Sequence, residues 1–396
     1  MRPILNRARR RLSVLIPAVA LAGAAIGLSA CGSSSSDNAA TAAAAAHCKS
    51  MTNIRIATTP YQDSLIMTLG NELGWYQAEC LNVTFQNVAF GDEPQVLSSG
   101  TSDVAWFSDP GVYEDYHQDP NLVYYYPWDI FYNGFALMAR PSLHLKTAAQ
   151  YMQEGQSQQQ AVDSVINELH GKSVITTLNN SRAEEIQSPI LKAGKPLNWM
   201  SYINEGAAPG LALFLRGTGD TYIAGIPQRA ELLQDGYVPL LTGVQLAPPP
   251  LNGFNTTKSF YEAHKSALLA LLHVTFMEIR YTDANLNQVA NYVATTYTHA
   301  TGDTFTPADF KEYWQKLELY PTDAADAQKM VFDSSGVAYW QKTWDLDGLY
   351  FVNLTHTLTQ KTPTSAFLGE QIQQSYIAKY GANETGWMKV TGSLPS

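Results

Sequence analysis

The chain is poor in the residues that carry covalent or metal chemistry. It has three cysteines in 396 residues, and its eight histidines show no paired ligand spacing, so no metal and no cofactor is expected. No Gly-x-Ser-x-Gly elbow occurs and Ser108 has no assignable His and acid partners, which argues against a serine hydrolase. Charge is sparse too: Asp, Glu, Lys and Arg make up 15% of the chain, with 35 acidic against 25 basic residues. A net charge of −10 argues against nucleic acid as a partner. Aromatic residues reach 11%, which fits a folded protein with aromatic surfaces better than an acidic disordered segment.

The basic residues that exist are unevenly placed. Arg2, Arg7, Arg9, Arg10 and Arg11 precede an uncharged apolar run at 12–28, which closes in Leu28-Ser29-Ala30-Cys31-Gly32. This is the layout of a secretory signal over 1–30, and it resembles a bacterial lipoprotein signal with its lipobox. The resemblance implies a diacylated Cys31 as the mature N-terminus, anchored at the extracytoplasmic face of a bacterial membrane. An uncleaved anchor helix is the plain alternative, since about 17 residues is the short limit for a span. Without those arginines, 20 basic residues face 35 acidic ones, and the charge falls to about −15. Residues 31–47 are mostly serine and alanine with little to bury, and read as a tether. About 350 residues then remain, enough for two lobes with separate cores. Cys48 and Cys80 are a candidate disulfide in an exported protein; two unpaired buried thiols are the alternative.

From residue 53 short apolar strands alternate with helical stretches, the pattern of an α/β protein with mainly parallel sheets and crossover helices. Strands are expected at 54–58, 83–88, 103–107, 122–126 and 135–139, then at 173–177, 199–203, 221–224 and 238–242. Arg140-Pro141 reads as a boundary, and Pro248-Pro249-Pro250 ends regular structure before a helical remainder. An internal echo links the two halves: Leu97-Ser98-Ser99-Gly100-Thr101-Ser102-Asp103 and Phe214-Leu215-Arg216-Gly217-Thr218-Gly219-Asp220 both close a helix and open a strand. Plain turn chemistry would also produce it.

These residues resemble the type II solute-binding proteins of ABC importers, in the branch that binds alkanesulfonates, taurine, nitrate and thiamine pyrimidines. The likeness rests on Ile54-Arg55-Ile56-Ala57, Asn71-Glu72-Leu73-Gly74-Trp75-Tyr76, Leu81-Asn82-Val83-Thr84-Phe85 and the segment Glu168 to Val174, in that order behind a lipobox. It implies a two-lobed fold, with lobe one at 48–139 and 245–396 and lobe two at 140–244. It also implies a monomer that binds a small molecule between the lobes and delivers it to a permease. A sensory lipoprotein docking on a receptor kinase needs the same cleft. An enzyme of this fold in thiamine-precursor metabolism is the rival class, but its cysteine-rich segment has no counterpart here.

In such folds ligand sits outside the carboxyl ends of the strands. The loops there supply Thr59, Tyr61, Asp63, Ser108, Asp109, Trp128, Tyr132, Asn179, Ser181, Arg182 and Pro227 as candidate ligand contacts. Hydroxyl and carboxyl groups at these positions also cap helices, and the rings also pack in cores. Arg182 is the one basic residue in these loops and stands in a first helical turn, where the helix dipole disfavours it. It suits either a ligand anion or a salt bridge to Glu184 or Glu185. The acidic and aromatic residues favour a heteroaromatic or amine-bearing solute, with a sulfonate or carboxylate second.

Overall fold

The computed structural model describes residues 47–178 and 181–395, so the signal segment, Cys31, most of the tether and Asn179 lie outside the described residues. Among the described residues no helix is long and apolar enough to cross a membrane. Ten strands of the described residues form two five-stranded sheets. The first is ordered β2-β1-β3-β10-β4, from β1 (Thr52–Thr58), β2 (Leu81–Asn87), β3 (Val104–Ser108), β4 (Leu122–Ile130) and β10 (Leu251–Thr257). The second is ordered β7-β6-β8-β5-β9, from β5 (Ala136–Ala139), β6 (Ser173–Thr176), β7 (Ser201–Asn204), β8 (Thr221–Ala224) and β9 (Val238–Thr242).

The two sheets share one plan. Each has a parallel trio, then one antiparallel strand in the fourth place, β10 or β5, and an edge strand beyond it. The repeated heptapeptide is built the same way in both. Gly100 (φ +71°) and Gly217 (φ +103°) take the left-handed turn that ends a helix, α1 (Glu93–Ser98) in one case. Asp103 then accepts the backbone N–H of Arg55 on β1, and Asp220 that of Ser173 on β6, each on the second strand in the order of its own sheet.

Three expectations are corrected by the pairing. Strand β5, expected to close lobe one, pairs with β8 and β9 of the second sheet, so the chain leaves the first sheet near residue 131 rather than 139. Chain beyond the triple proline is not all helical: β10 lies between β3 and β4 at the heart of the first sheet. Its polar side chains hid it, yet Asn255 and Thr256 are buried and bonded to the carbonyls of Phe107 and Asp103. Finally β4 runs on through Pro127 to Ile130, which an edge strand tolerates because one face of its backbone needs no ladder bond.

Helices cover both sheets, and one apolar core runs continuously from the first sheet into one face of the second. Along β5 the side chains alternate, Leu137 and Ala139 to that core and Ala136 and Met138 to a smaller one with Phe214 and Tyr222. Cys48 and Cys80 form a disulfide with a Cα separation of 5.6 Å, at the starting ends of β1 and β2. The two crossings between sheets, 131–135 and 243–250, lie side by side: Phe131 N–H donates to Pro250 and Gly243 N–H to Phe135.

Candidate functional site

A narrow cavity opens where the carboxyl ends of the two sets of strands face each other. Its empty space is about 430 Å³ including the mouth, of which about 30 Å³ admits the centre of a water molecule. From the first sheet and its loops come Tyr61, Gln62, Asp63, Phe90, Trp106 and Ser108, with Pro250 and Asn252 at the start of β10. Ser181 and Arg182 come from the first turn of α4 (Ser181–Lys192), and Gly225, Ile226, Pro227 and Gln228 from that of α6 (Ile226–Gln234). Phe131 and Phe135, 4.7 Å apart ring to ring, stand on the crossing between them. The walls are therefore aromatic, and two helix N-termini aim at the space.

Of the candidate contacts, Tyr61, Asp63, Ser108, Ser181, Arg182 and Pro227 are brought together around this cavity. Four others lie off its lining, for separate reasons. Thr59 donates to the buried Glu93 at 2.7 Å. Asp109 accepts the N–H of Leu251 at 2.8 Å. Trp128 is fully buried inside β4 against Phe254, a consequence of the longer strand. Tyr132 packs half-buried on the core beside the crossing. Arg182 is turned along its own sheet: it donates to the Tyr222 hydroxyl at 3.0 Å and to the Ile223 carbonyl. A guanidinium so engaged fastens α4 to β8 while still lining the cavity.

Loop reading missed the amide and ring groups. Among the described residues, Gln62 and Gln228 each place a buried side-chain oxygen without a hydrogen-bond partner, and Trp106 a buried indole N–H likewise. Gln62 and Gln228 sit inside the loops already singled out, beside Asp63 and Pro227, so the signal was present; Trp106 faces the cavity from mid-strand, where sequence reads only core.

Behind Asp63 lies a cluster no local pattern could reveal. One carboxylate oxygen each of Asp63, Asp129 and Glu318 lies within 4.8 Å of the others, and all three residues are buried. Asp63 starts the 3-10 turn Ser64–Thr68 and accepts from Ser64 N–H at 2.8 Å. Asp129 on β4 accepts from Asn252 at 2.9 Å. Glu318 follows α9 (Pro307–Lys316), is held beside β4 by paired backbone bonds between Leu319 and Ile130, and accepts from Tyr320. Burial and then the neighbouring charge of Asp129 hold Asp63 well above the usual carboxylate range; burial, Asp129 and Asp63 do the same to Glu318. Burial raises Asp129 as well.

A second group of acids crosses the seam nearby. Asp347 on α10 (Trp340–Gly348), from the first sheet's side, faces Glu184 and Glu185 on α4 around a small gap that also meets Pro248 and Pro250, with Asp109 close enough to act on Glu184 and Asp347. Burial raises all four, and Glu184 and Asp347 are raised further by Asp109.

No protein-family model and no curated protein matches this sequence. Solved structures do. The alkanesulfonate-binding protein SsuA from Xanthomonas axonopodis pv. citri, bound to MOPS, is similar with a TM-score of 0.60 and 15% identity, over 81% of this chain and 99% of that one. The chain has the periplasmic-binding-protein fold. The same fold relates it to the zinc-bound ligand-binding component of an ABC-type import system from Staphylococcus aureus, at TM-score 0.58 and 14% identity over 82% of this chain and 99% of that one. A Candida albicans protein with the generic periplasmic binding protein fold is similar at TM-score 0.59 and 13% identity, covering 85% of this chain and 99% of its own. The periplasmic-binding-protein fold thus accounts for the two repeated sheets and for the placement of the cavity between them.

Proposed function

We propose that this chain is the solute-binding component of an ABC importer, held by lipid on Cys31 at the extracytoplasmic face of a membrane. It captures a small organic molecule in the seam cavity and presents it to a permease, as a monomer of two lobes and without catalysing a reaction. The observation that carries this reading is the cavity itself, fed by strand ends of both sheets and by two helix N-termini. A group at that place gains contacts from both sides only when the lobes are together, so ligand favours the closed form by population shift. The narrowness of the space means that a solute enters only after the lobes part about the twin crossings at 131–135 and 243–250.

Ring walls from Tyr61, Phe90, Trp106, Phe131 and Phe135 suit a flat solute, heteroaromatic or amine-bearing in first place and a sulfonate or carboxylate in second. Calorimetry against a broad metabolite panel, with small-angle scattering of the same samples, tests the proposal. A micromolar binder that makes the particle more compact is expected. A particle of fixed shape that takes up no compound refutes it.

A further inference from the structure

The carboxyl cluster behind Asp63 gives this cavity a property that neither its shape nor its fold supplies. Three acids within 4.8 Å of one another and out of water cannot all be ionised: burial raises all three, and the neighbouring carboxylates raise Asp63 and Glu318 further. The donors on them are few: Ser64 N–H, the Asn252 amide and the Tyr320 hydroxyl. One oxygen of Asp129 and one of Glu318 are buried with no donor among the described residues, and facing carboxyl oxygens bond to each other only through a shared proton. The other titratable groups acting on the cluster are Tyr313 and Tyr320 behind it and Tyr124 on β4. Tyr61 lines the cavity beside Asp63, and Arg182 stands across it.

Only Asp63 of the three lines the cavity, and the lining carries an independent sign of what it takes. The side-chain oxygens of Gln62 and Gln228, residues 1% and 4% exposed, are acceptors without a donor among the described residues. They reach the same space from opposite lobes. A solute that satisfies them brings N–H or O–H donors, and one that also neutralises Asp63 brings a positive charge. The unpartnered indole N–H of Trp106 asks for one acceptor in return, such as a ring nitrogen or an ether oxygen.

Resting on the solute-binding reading above, we propose that Asp63 receives the protonated amine of an aromatic or heteroaromatic solute, and that Asp129 and Glu318 position it and release a proton as the cation arrives. The charge balance closes: one ammonium enters, one proton leaves to solvent, and the buried charge is unchanged. Asp63 is the contact residue; Asp129 and Glu318 act through it.

Three probes that share a ring and differ in head group test this: benzylamine, benzyl alcohol and benzenesulfonate. Each is titrated into the purified protein at pH 6.5, by indole fluorescence and by calorimetry in buffers of different ionisation enthalpy. Benzylamine is expected to bind at least tenfold tighter than the other two, with about one proton released per ligand. Asp63→Asn is expected to abolish that preference. Glu318→Gln, which keeps the shape, is expected to retain benzylamine binding while proton release falls by half or more, a readout a merely structural role would not move. Binding of benzenesulfonate or benzyl alcohol in preference to benzylamine, or benzylamine binding with no dependence on buffer, overturns the inference and leaves solute capture standing. If none of the three binds and no small molecule copurifies, both readings fall.

Discussion

Removing the disulfide between Cys48 and Cys80 offers a perturbation whose size follows from the chain itself. The bridge joins residues 32 apart, closing a loop of about 33 residues in the unfolded state. The loop-closure entropy for that length is about 12.5 cal/mol/K, or about 3.7 kcal/mol at 25 °C. A folded part of about 350 residues has an unfolding entropy near 0.7 kcal/mol/K, so the double variant Cys48→Ala with Cys80→Ala should melt about 5 °C lower. The native fold should survive, because Thr52 N–H still donates to the Cys80 carbonyl at 2.9 Å and seven residues of β1 still pair with β2. Differential scanning calorimetry of the two proteins, with and without reductant, makes the comparison. Reductant should lower the parent's midpoint by a similar amount and leave the variant's unchanged. A shift under about 1 °C, or a variant that still responds to reductant, would refute the reasoning.

Other consequences can be checked in the same laboratory. Buried acids whose folded values are raised bind protons more tightly in the native state, so their contribution is fullest below the unfolded value and is lost as pH rises through the folded one. Burial raises Glu93 to about 7, and the acids across the seam are raised likewise, so stability should fall between about pH 4 and 8. Glu93 alone is worth about 3 kcal/mol, and a melting point that climbs over this range would contradict it. Gly243 (φ +50°) lies so close to the other crossing that an added Cβ would come within 2.7 Å of the Asn133 backbone. Gly243→Ala should therefore cost about 1–3 kcal/mol in urea unfolding, and an unchanged midpoint would remove the crossing from among the fixed points of the fold. Arg182→Lys should cost about 2 kcal/mol by loosening α4 from β8, where the guanidinium holds the Tyr222 hydroxyl and the Ile223 carbonyl. Wild-type stability in that variant would show the bonds to be incidental.

Sequence made most of the architecture legible where side chains obey a simple period. Strands at 221–224 and 238–242 fall where expected, because short apolar runs between helix and turn signals have one reading. The heptapeptide echo also carried through to matching aspartate contacts on β1 and β6. Failures share a cause: partners distant in sequence. Leu251 to Thr257 has the look of a loop, and its polar side chains become a strand only between β3 and β4, where Asn252 finds Asp129. Pro127 reads as a break until β4 is known to be an edge. Six of the eleven candidate contacts face the cavity because loops after strand ends converge in any such sheet; Glu318 arrives from nearly 190 residues beyond Asp129, and no spacing could announce it.

The antiparallel match of Ile130 with Leu251 carries a lesson about how the molecule is assembled. Strands β4 and β10 are the two arms of a hairpin whose tip has been replaced by the whole second sheet with its helices. That inserted body is a single uninterrupted stretch, whereas its host lacks an inner strand until residue 257 is available. The connectivity thus predicts guest before host in folding, and grafting a two-residue turn between the arms is the natural way to ask whether the host can stand alone.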